Sequence, residues 1–355
     1  VLKPDEFQFF KHLYNIDSEG NFLEETTKTV NGKNIIYLKD EFENFAKTFS
    51  LQEEMIRAEA DRIKLKLKTI RDDRQRPSLD DKILTDWNSM AISSLSKIAR
   101  LGYGDNSLSM ALNCNNFLET HMINDSEILH CYRNGEACID GMLDDYSFYA
   151  KSLIDLYETT LNPEFLIKAY KICEKMIFYF WDYEEGLFFV SKKNSDDLIV
   201  RQKNLLDGAS PCGNSIALYS LSKLAKYFFD KNLEDIANTL SSKLGEMAKK
   251  FPINLGMFLS NHFLLYDNLD QFVITSNDEK VDYSNEMINF ILNFKNQNKT
   301  IIYINSESQR NIFTNFSEKY SYLPSPSQKI KVYLCSNYSC NLPIDNLDEL
   351  KISLR

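Results

Sequence analysis

Five aspartates stand just before or at the start of predicted helices, in three separate parts of the chain. They are Asp80 with Asp81, Asp144 with Asp145, and Asp207. If these helix starts meet at one opening, the carboxylates lie together there. Glycoside chemistry needs a pair of carboxylates, one as acid and the other as base or nucleophile. We therefore predict Asp81 and Asp145 as catalytic acid/base residues, with Asp207 as a third candidate.

Two other interpretations of these charges stay open. An acid at a helix start also offsets the positive end of the helix dipole, by about 0.3–1 kcal/mol. Four basic residues, Arg76, Lys82, Arg201 and Lys203, accompany the acids. They either hold an anionic ligand or pair with the aspartates.

Further side chains from the same stretches complete the predicted ligand site. Trp87 either stacks on a sugar ring or packs in the core. Asn88 and Asn214, which stand at equivalent positions, donate hydrogen bonds either to a ligand or to neighbouring loops. The predicted ligand-binding set is Arg76, Asp80, Lys82, Trp87, Asn88, Asp144, Tyr146, Arg201, Lys203 and Asn214.

The stretch that carries the first acid pair reads as a helix start. Ser78 and Asp81 have the spacing of a capping box, and Pro77 disfavours helix before them. Apolar residues then recur at helical spacing and predict a buried face. They are Ile83, Leu84, Trp87, Met90, Ala91, Leu95 and Ile98.

This helix is repeated along the chain. The segment 88–100 aligns with 214–226 at eight identical positions of thirteen, and 145–154 is a third copy. Ser94, Ser152 and Ser220 align at steps of 58 and 68 residues, which fits a helical hairpin plus a long loop. The segment 255–266 is a candidate fourth inner helix. The pattern predicts a mainly α protein.

Beyond this point the pattern changes to buried strand runs at 271–275, 300–304 and 330–335, the first two flanking a helix near 284–294. We therefore predict a small C-terminal α/β appendage. The predicted divisions are residues 1–70, with N-terminal helices and a linking segment; 71–266, with the barrel hairpins; and 267–355, the appendage.

Composition excludes some functions. The net charge of −10 leaves no excess of Lys and Arg to neutralise nucleic acid or an anionic membrane. No apolar run approaches the roughly 20 residues that span a bilayer. Seven scattered cysteines fit reduced thiols and a cytoplasmic protein. We predict no cofactor and no metal site, because no His/Cys/Asp spacing fits one.

Several blocks resemble one family, the thioredoxin-domain proteins with a C-terminal helical barrel that are related to the spermatogenesis-associated thioredoxin-like proteins. The blocks are Arg76-Pro77, Asp80-Asp81-Lys82-Ile83-Leu84-Thr85, Trp87-Asn88, Leu143-Asp144-Asp145-Tyr146, Asp207-Gly208-Ala209, Gly213-Asn214-Ser215, and Cys335 and Cys340 before Pro343. Gly20-Asn21-Phe22 and Gly32-Lys33-Asn34-Ile35 match as well.

The resemblance implies an (α/α)6 toroid of the six-hairpin glycosidase type, similar to the N-acylglucosamine epimerase barrels. The family's thioredoxin domain, with its CxxC pair, and its first barrel helices have no counterpart here. We therefore expect a partial toroid from the C-terminal part of a longer or split protein. None of the histidines, His12, His121, His130 and His262, lies in a matched block, which gives histidine-dependent epimerisation little support.

Two functions follow as expectations. The first is a carbohydrate-active or sugar-binding enzyme that uses the clustered aspartates. The second is a non-enzymatic scaffold that docks a thioredoxin-like domain, the missing N-terminal half or another protein partner. Fold alone does not decide between them, because one barrel type hosts unrelated functions.

Overall fold

The computed structural model describes residues 1–193, 198–266, 269–278, 281–296, 298–336 and 339–354. They form two compact units, Val1–Asp80 and Asp81–Arg355. The first unit contains three helices: α1 (Pro4–Leu13), α2 (Phe42–Phe49) and α3 (Glu53–Asp72). Its small core is built from Leu13, Ala46, Ile56 and Ala60.

The second unit is built on helical hairpins in which inner and outer helices alternate. The helices are α4 (Thr85–Arg100), α5 (Ser107–His121), α6 (Leu143–Thr160), α7 (Pro163–Phe180), α8 (Gly213–Phe228), α9 (Lys231–Ala248) and α10 (Gly256–Tyr266). The inner helices α4, α6, α8 and α10 pack side by side in that order, and α5, α7 and α9 each pack against the inner helix before them. The predicted fold class, a mainly α partial (α/α)6 toroid of the six-hairpin glycosidase type, is confirmed.

The central inner helices are enclosed almost completely. Every residue from Asp145 to Thr159 in α6 and from Gly213 to Ala225 in α8 is buried. A helix that is buried all round must satisfy its polar side chains internally, and these two helices carry most of the buried charged residues described in the unit: Asp145, Lys151, Asp155, Glu158 and Lys223. Among the described residues, none of the helices combines the length and the apolar content that crossing a bilayer requires.

Short strands lie in the connecting segments that precede the inner helices. They are β1 (Ile83–Leu84), β2 (Ile123–Asn124), β3 (Glu127–Arg133), β4 (Glu136–Asp140), β5 (Trp181–Asp182) and β6 (Leu187–Phe188). Strand β3 pairs antiparallel with β1, β2 and β4, and β5 pairs with β6. The sheet around β3 is therefore anchored directly before α4 and α6.

The predicted start of α4 is wrong. The helix begins at Thr85 and not at Ser78, because Ile83 and Leu84 pair as strand β1 with Tyr132 and Cys131 of β3. The N-terminus of α4 is capped by a residue of another helix: the Asp86 N–H donates to the Asp145 carboxylate at 3.1 Å.

The predicted buried face of α4 is also wrong. The buried residues are Thr85, Ser89, Ile92, Ser93 and Ser96, whereas Trp87 is 64% exposed. These small hydroxyl side chains are satisfied in place: Ser89 donates to the Thr85 carbonyl and Ser96 to the Ile92 carbonyl. Apolar periodicity overlooks a buried face of this kind.

The C-terminal part is the predicted α/β appendage. It contains β7 (Asp270–Thr275), α11 (Glu286–Leu292), β8 (Lys299–Ile304), α12 (Glu307–Phe316), β9 (Lys331–Ser336), β10 (Ser339–Cys340) and α13 (Leu347–Ser353). The strand order is β10-β9-β7-β8, with β7 and β8 parallel and the other pairs antiparallel. The three predicted strands and the helix between the first two are confirmed.

Successive residues of the strands point to opposite faces of the sheet, and one of these faces packs against the helices. Val273 and Ile302 face the helical core, whereas Phe272, Ile274 and Ile301 pack with α11 on the other face. The Tyr157 hydroxyl of α6 donates to the Ile301 carbonyl. The appendage is therefore packed into the second unit.

Cys335 and Cys340 face each other across β9 and β10 and form a disulfide. The reduced state predicted for all seven cysteines is wrong for this pair. The other five are free thiols: Cys114, Cys131, Cys138, Cys173 and Cys212.

The close approach of α6 and α8 gives a stability prediction. A Cβ at Gly213 would lie 2.4 Å from Asp144 Oδ1 and 2.7 Å from Leu143 Cγ. Because Leu143 is buried, we expect Gly213→Ala to lower the free energy of unfolding by about 1–3 kcal/mol in urea denaturation.

The matched control is Gly208→Ala, since a Cβ at Gly208 meets nothing within 4 Å. Equal stability of the two variants would contradict the tight contact between the helix starts.

Candidate functional site

The carboxylate of Asp145 joins the starts of two inner helices. Its residue is 1% exposed and is the third residue of α6. One oxygen accepts the Met142 N–H at 2.8 Å, which caps α6, and the other accepts the Asp86 N–H of α4 at 3.1 Å. The carboxylate thus satisfies helix-start donors that would otherwise lack partners.

His130 of β3 completes this contact from a third element. Its Nδ1 lies 3.0 Å from both oxygens of Asp145, and its side chain is 18% exposed. The hydrogen bond to Asp145 raises the pKa of His130, against the opposing effect of burial. Nδ1–H is therefore directed at Asp145, and Nε2 points to the other side of the ring.

Two further carboxyl groups stand beside this pair. Burial, followed by the charges of Asp86 and Asp145, raises the pKa of Asp144 to about 6. Burial and the charge of Asp145 also raise the pKa of Asp86. Both side chains are partly exposed. The site therefore holds carboxyl groups that carry a proton closer to neutral pH than ordinary aspartates do.

The arrangement suits proton transfer. A carboxylate-oriented imidazole and a carboxyl group of raised pKa are the usual parts of general acid–base catalysis. Asp86, His130 and Asp145 also offer three ligand atoms within 4.8 Å of one another, a spacing that a metal ion could bridge. The oxygens of Asp145 already accept two backbone N–H groups and His130, so the geometry favours the hydrogen-bonded arrangement.

The structure gives other partners to Asp81 and Asp207, which we predicted as catalytic acids. Asp81 forms an ion pair with Arg133, with Nε and Oδ1 2.6 Å apart and both side chains about half exposed. Asp207 accepts the Cys212 N–H at 3.0 Å and the Met257 N–H at 2.8 Å. Its two oxygens hold the loop before α8 against the start of α10.

Three predicted ligand residues hold loops in place. The Asn88 amide donates to the Leu84 carbonyl at 2.8 Å. The Asn214 side chain exchanges hydrogen bonds with the backbone of Phe188 at 2.9 and 3.0 Å. The buried hydroxyl of Tyr146 accepts the N–H of Ile128 at 3.1 Å. Each fixes a strand or loop near the inner helix starts.

Two of the predicted basic residues, Lys203 and Arg201, also have polar partners within the protein. Lys203 pairs with Asp182 at 2.6 Å and with Glu185 at 2.5 Å. Arg201 donates to the carbonyls of Tyr179 and Ser191.

The remaining predicted ligand residues divide between the two units. Lys82 is exposed at the start of the second unit. Arg76 and Asp80 belong to the first unit, where Arg76 pairs with Asp72.

Sequence reasoning missed Asp86 and His130. Asp86 lies next to Trp87, in the stretch that we interpreted as a helix start. It belongs to no repeated segment and to no capping pattern, so the sequence did not single it out. His130 lies on a strand rather than a helix start, 15 residues before Asp145, and only the pairing of β3 with β1 brings it to the site. A functional role for His130 could therefore be inferred only from the fold.

The sequence of the chain is similar to those of several known proteins. No protein-family model matches the chain. The chain is 25% identical over 354 residues to spermatogenesis-associated protein 20 of Rattus norvegicus and of Homo sapiens, covering 96% of this chain and 44% and 45% of those proteins. An uncharacterized protein of Caenorhabditis elegans is 26% identical over 289 residues, 79% of this chain and 39% of that protein.

The chain is therefore homologous to spermatogenesis-associated protein 20 over most of its length, as the sequence resemblance predicted, and spans less than half the length of these relatives. Among solved structures, cellobiose 2-epimerase from Bacillus thermoamylovorans matches with a TM-score of 0.39 and 13% identity over 45% of this chain and 44% of that one. A family 76 glycoside hydrolase (mannosidase) from Bacteroides thetaiotaomicron matches with a TM-score of 0.41 and 16% identity over 54% and 56%.

The raised pKa of Asp144 gives a prediction of pH-dependent stability. The folded state binds this proton more tightly than the unfolded state, whose carboxyl has a pKa near 3.8. The contribution of Asp144 to stability therefore falls as the pH rises from about 4 through 6. Asp144→Asn removes this loss, so the variant should gain about 1–3 kcal/mol relative to wild type between pH 4 and pH 7.5.

Urea unfolding at the two pH values measures this gain. Asp105→Asn, at an exposed aspartate, is the matched control and should leave the pH profile unchanged. Parallel profiles of wild type and Asp144→Asn would contradict the raised pKa.

Proposed function

We propose that the inner helix starts bind a sugar and that the site moves a proton to and from it. His130 exchanges the proton through Nε2, Asp144 is the second acid/base group, and Asp145 holds the imidazole in position. The observation that carries this proposal is the contact of His130 with the buried Asp145, at 3.0 Å, beside carboxyl groups of raised pKa.

The protonation states suit this chemistry near neutral pH. With a pKa of about 6, Asp144 is present in both forms at pH values around 6 to 7. The hydrogen bond to Asp145 raises the pKa of His130, which favours the imidazolium that can donate a proton. Catalytic groups work best when their pKa lies near the operating pH.

Proton transfer at a sugar carbon fits the site better than glycoside hydrolysis. Ligand atoms of Asp86 and Asp145 lie within 4.8 Å of one another, and Asp145 is buried and occupied by backbone donors. The two carboxyl groups of glycosidases usually stand about 5–9.5 Å apart and flank the bond that they break. His130 also supplies the histidine that the sequence motifs lacked.

A sugar is proposed as the ligand because of Trp87. Trp87 follows Asp86 directly in α4 and is 64% exposed as a residue, so it is not used for core packing. An exposed indole has a flat apolar face on which a sugar ring can stack. In this proposal Asp81 and Asp207, our expected acids, hold the surrounding loops, as their ion pair and backbone contacts indicate.

Sugar binding and proton exchange can be measured together. In Trp181→Phe protein, Trp87 is the sole tryptophan, and we expect an aldose or ketose to change its fluorescence. In D2O the same sugar should gain deuterium next to its carbonyl group, as followed by NMR. We expect His130→Gln and Asp144→Asn to slow this exchange by about 10²–10⁴-fold, because each removes a proton-transfer group.

The matched control variants are His12→Gln in the first unit and Asp105→Asn. They should exchange at the wild-type rate. A panel of hexoses, pentoses and disaccharides that neither perturbs Trp87 nor exchanges protons would overturn the proposal.

A second function is supported by a separate surface. Leu259, Phe263 and Tyr266 form an apolar stripe on α10, and their side chains are 40%, 60% and 65% exposed. A stripe of this spacing can dock a helical partner. A silent sugar panel would leave the scaffold function, with a thioredoxin-like domain or another protein as partner, as the better account.

A further inference from the structure

The second unit contains another cavity at the opposite end of the inner helices. It has a volume of about 300 Å³ and lies at the C-terminal ends of α4 and α6, beside α8 and beside residues 292–294, 296 and 299 of the appendage. Glu158 at this cavity is 13 residues along α6 from Asp145, about 20 Å at 1.5 Å per residue. The cavity is therefore separate from the proposed sugar site.

Positive charge is in excess around this cavity. Its lining includes the cations Lys97, Arg100, Lys223 and Lys299 and the acids Asp155 and Glu158. Lys151 stands behind Asp155, and Asp270 lies near Lys299. The group thus has five basic side chains and three acidic ones, although burial lowers the pKa of Lys299 to about 7 and also lowers the pKa of Lys151.

The acids at the cavity are already neutralised. Glu158 accepts from Arg100 and from Lys223, each at 2.8 Å, and it is 5% exposed. These two ion pairs hold the pKa of Glu158 at about 2, against the effect of burial. The buried Asp155 accepts from Lys151 at 2.5 Å.

The carboxylate of Asp155 is also approached by Lys97 at 4.0 Å. Asp155 and Glu158 therefore each face two basic side chains. The surplus charge of the cluster has no counter-ion among these groups.

Lys299 brings a buried charge to the same place. Its ammonium donates to the carbonyls of Ile291, Leu292 and Phe294 at 2.8–2.9 Å, at the end of α11. Burial and the cations of α4 and α8 lower its pKa to about 7, although Glu158 of α6 and Asp270 of β7 act in the other direction. An added anion would favour the protonated form.

Asn293 also lines the cavity, and its side-chain amide donates to the carbonyls of Arg100 at 3.4 Å and Asn289 at 3.1 Å. Tyr219 and Phe294 add aromatic surface to the wall.

We propose that this cavity binds a small dianion, with the chemistry of a phosphate monoester. The excess of basic side chains holds the phosphate group. The volume is at the lower end of the range for small-molecule sites, which fits a compact ester of hexose size. The inference does not depend on the proposed sugar reaction.

Calorimetric titration of the intact protein tests this site. The probes are glucose 6-phosphate, inorganic phosphate and glucose, at constant ionic strength set with potassium chloride. We expect saturable binding of glucose 6-phosphate, weaker binding of phosphate, and no glucose binding that depends on Lys97. Binding at pH 7.5 should take up protons, seen as a heat that depends on the buffer, because Lys299 becomes protonated.

The decisive variants change charge at the cavity. Lys97→Gln acts at a side chain that is 47% exposed and should fold normally, and Arg100→Gln leaves Glu158 paired with Lys223. We expect each to weaken glucose 6-phosphate binding at least tenfold. Lys171→Gln, at an exposed lysine of α7, makes the same charge change and should bind as wild type does.

Two results would overturn the proposal. One is the absence of saturable binding of both phosphate compounds to the wild-type protein. The other is equal affinity of Lys97→Gln and Lys171→Gln, which would leave the charges as a purely structural network. Neither result bears on proton exchange at His130, so the two proposals fail separately.

Discussion

A single buried carboxylate fixes the arrangement of the helix starts. Asp145 lies where α4, α6 and β3 meet, and it accepts hydrogen bonds from all three. A carboxylate that is 1% exposed must be compensated by donors, because an uncompensated buried charge costs several kcal/mol. The position of His130 and the first turn of α4 therefore depend on the same group, and so does the site that they form.

Much of the fold follows from patterns in the sequence. The repeated segments at 88–100, 145–154 and 214–226 predicted inner helices, and the strand runs after 267 predicted the appendage. The helices were found because the segments repeat one another, and the strands because each is a short continuous apolar run. The start and the buried face of α4 could not be predicted in this way, because β1 pairs with a strand 47 residues away and Ser89, Ser93 and Ser96 form the contact.

The candidate site was predictable only in part. Asp144 and Asp145 were identified from their position at a helix start, and the structure brings Asp86 and His130 to them. Asp207 has the same sequence pattern, yet both of its oxygens accept backbone N–H groups. From the sequence alone, an aspartate before a helix can be either a helix cap or a catalytic acid. Only the burial and the hydrogen-bond partners of its oxygens distinguish the two.

Charged side chains gather at both ends of the inner helices, in different combinations. The starts of α4 and α6 hold Asp86, Asp144 and Asp145, whereas at the other end Lys97 and Arg100 of α4 face Asp155 and Glu158 of α6. The two ends of the same set of helices therefore differ in chemistry, which is the basis of the two separate proposals.

The central claim is that Asp145 orients His130, and an NMR titration of the His130 ring tests it most directly. In the wild-type protein we expect the neutral ring to carry its proton on Nδ1 and the pKa to lie above the ordinary value of 6.5. In Asp145→Asn the pKa of His130 should fall, because the paired charge is lost. A His130 ring that titrates alike in both proteins, or that carries its proton on Nε2 in the wild type, would contradict the account.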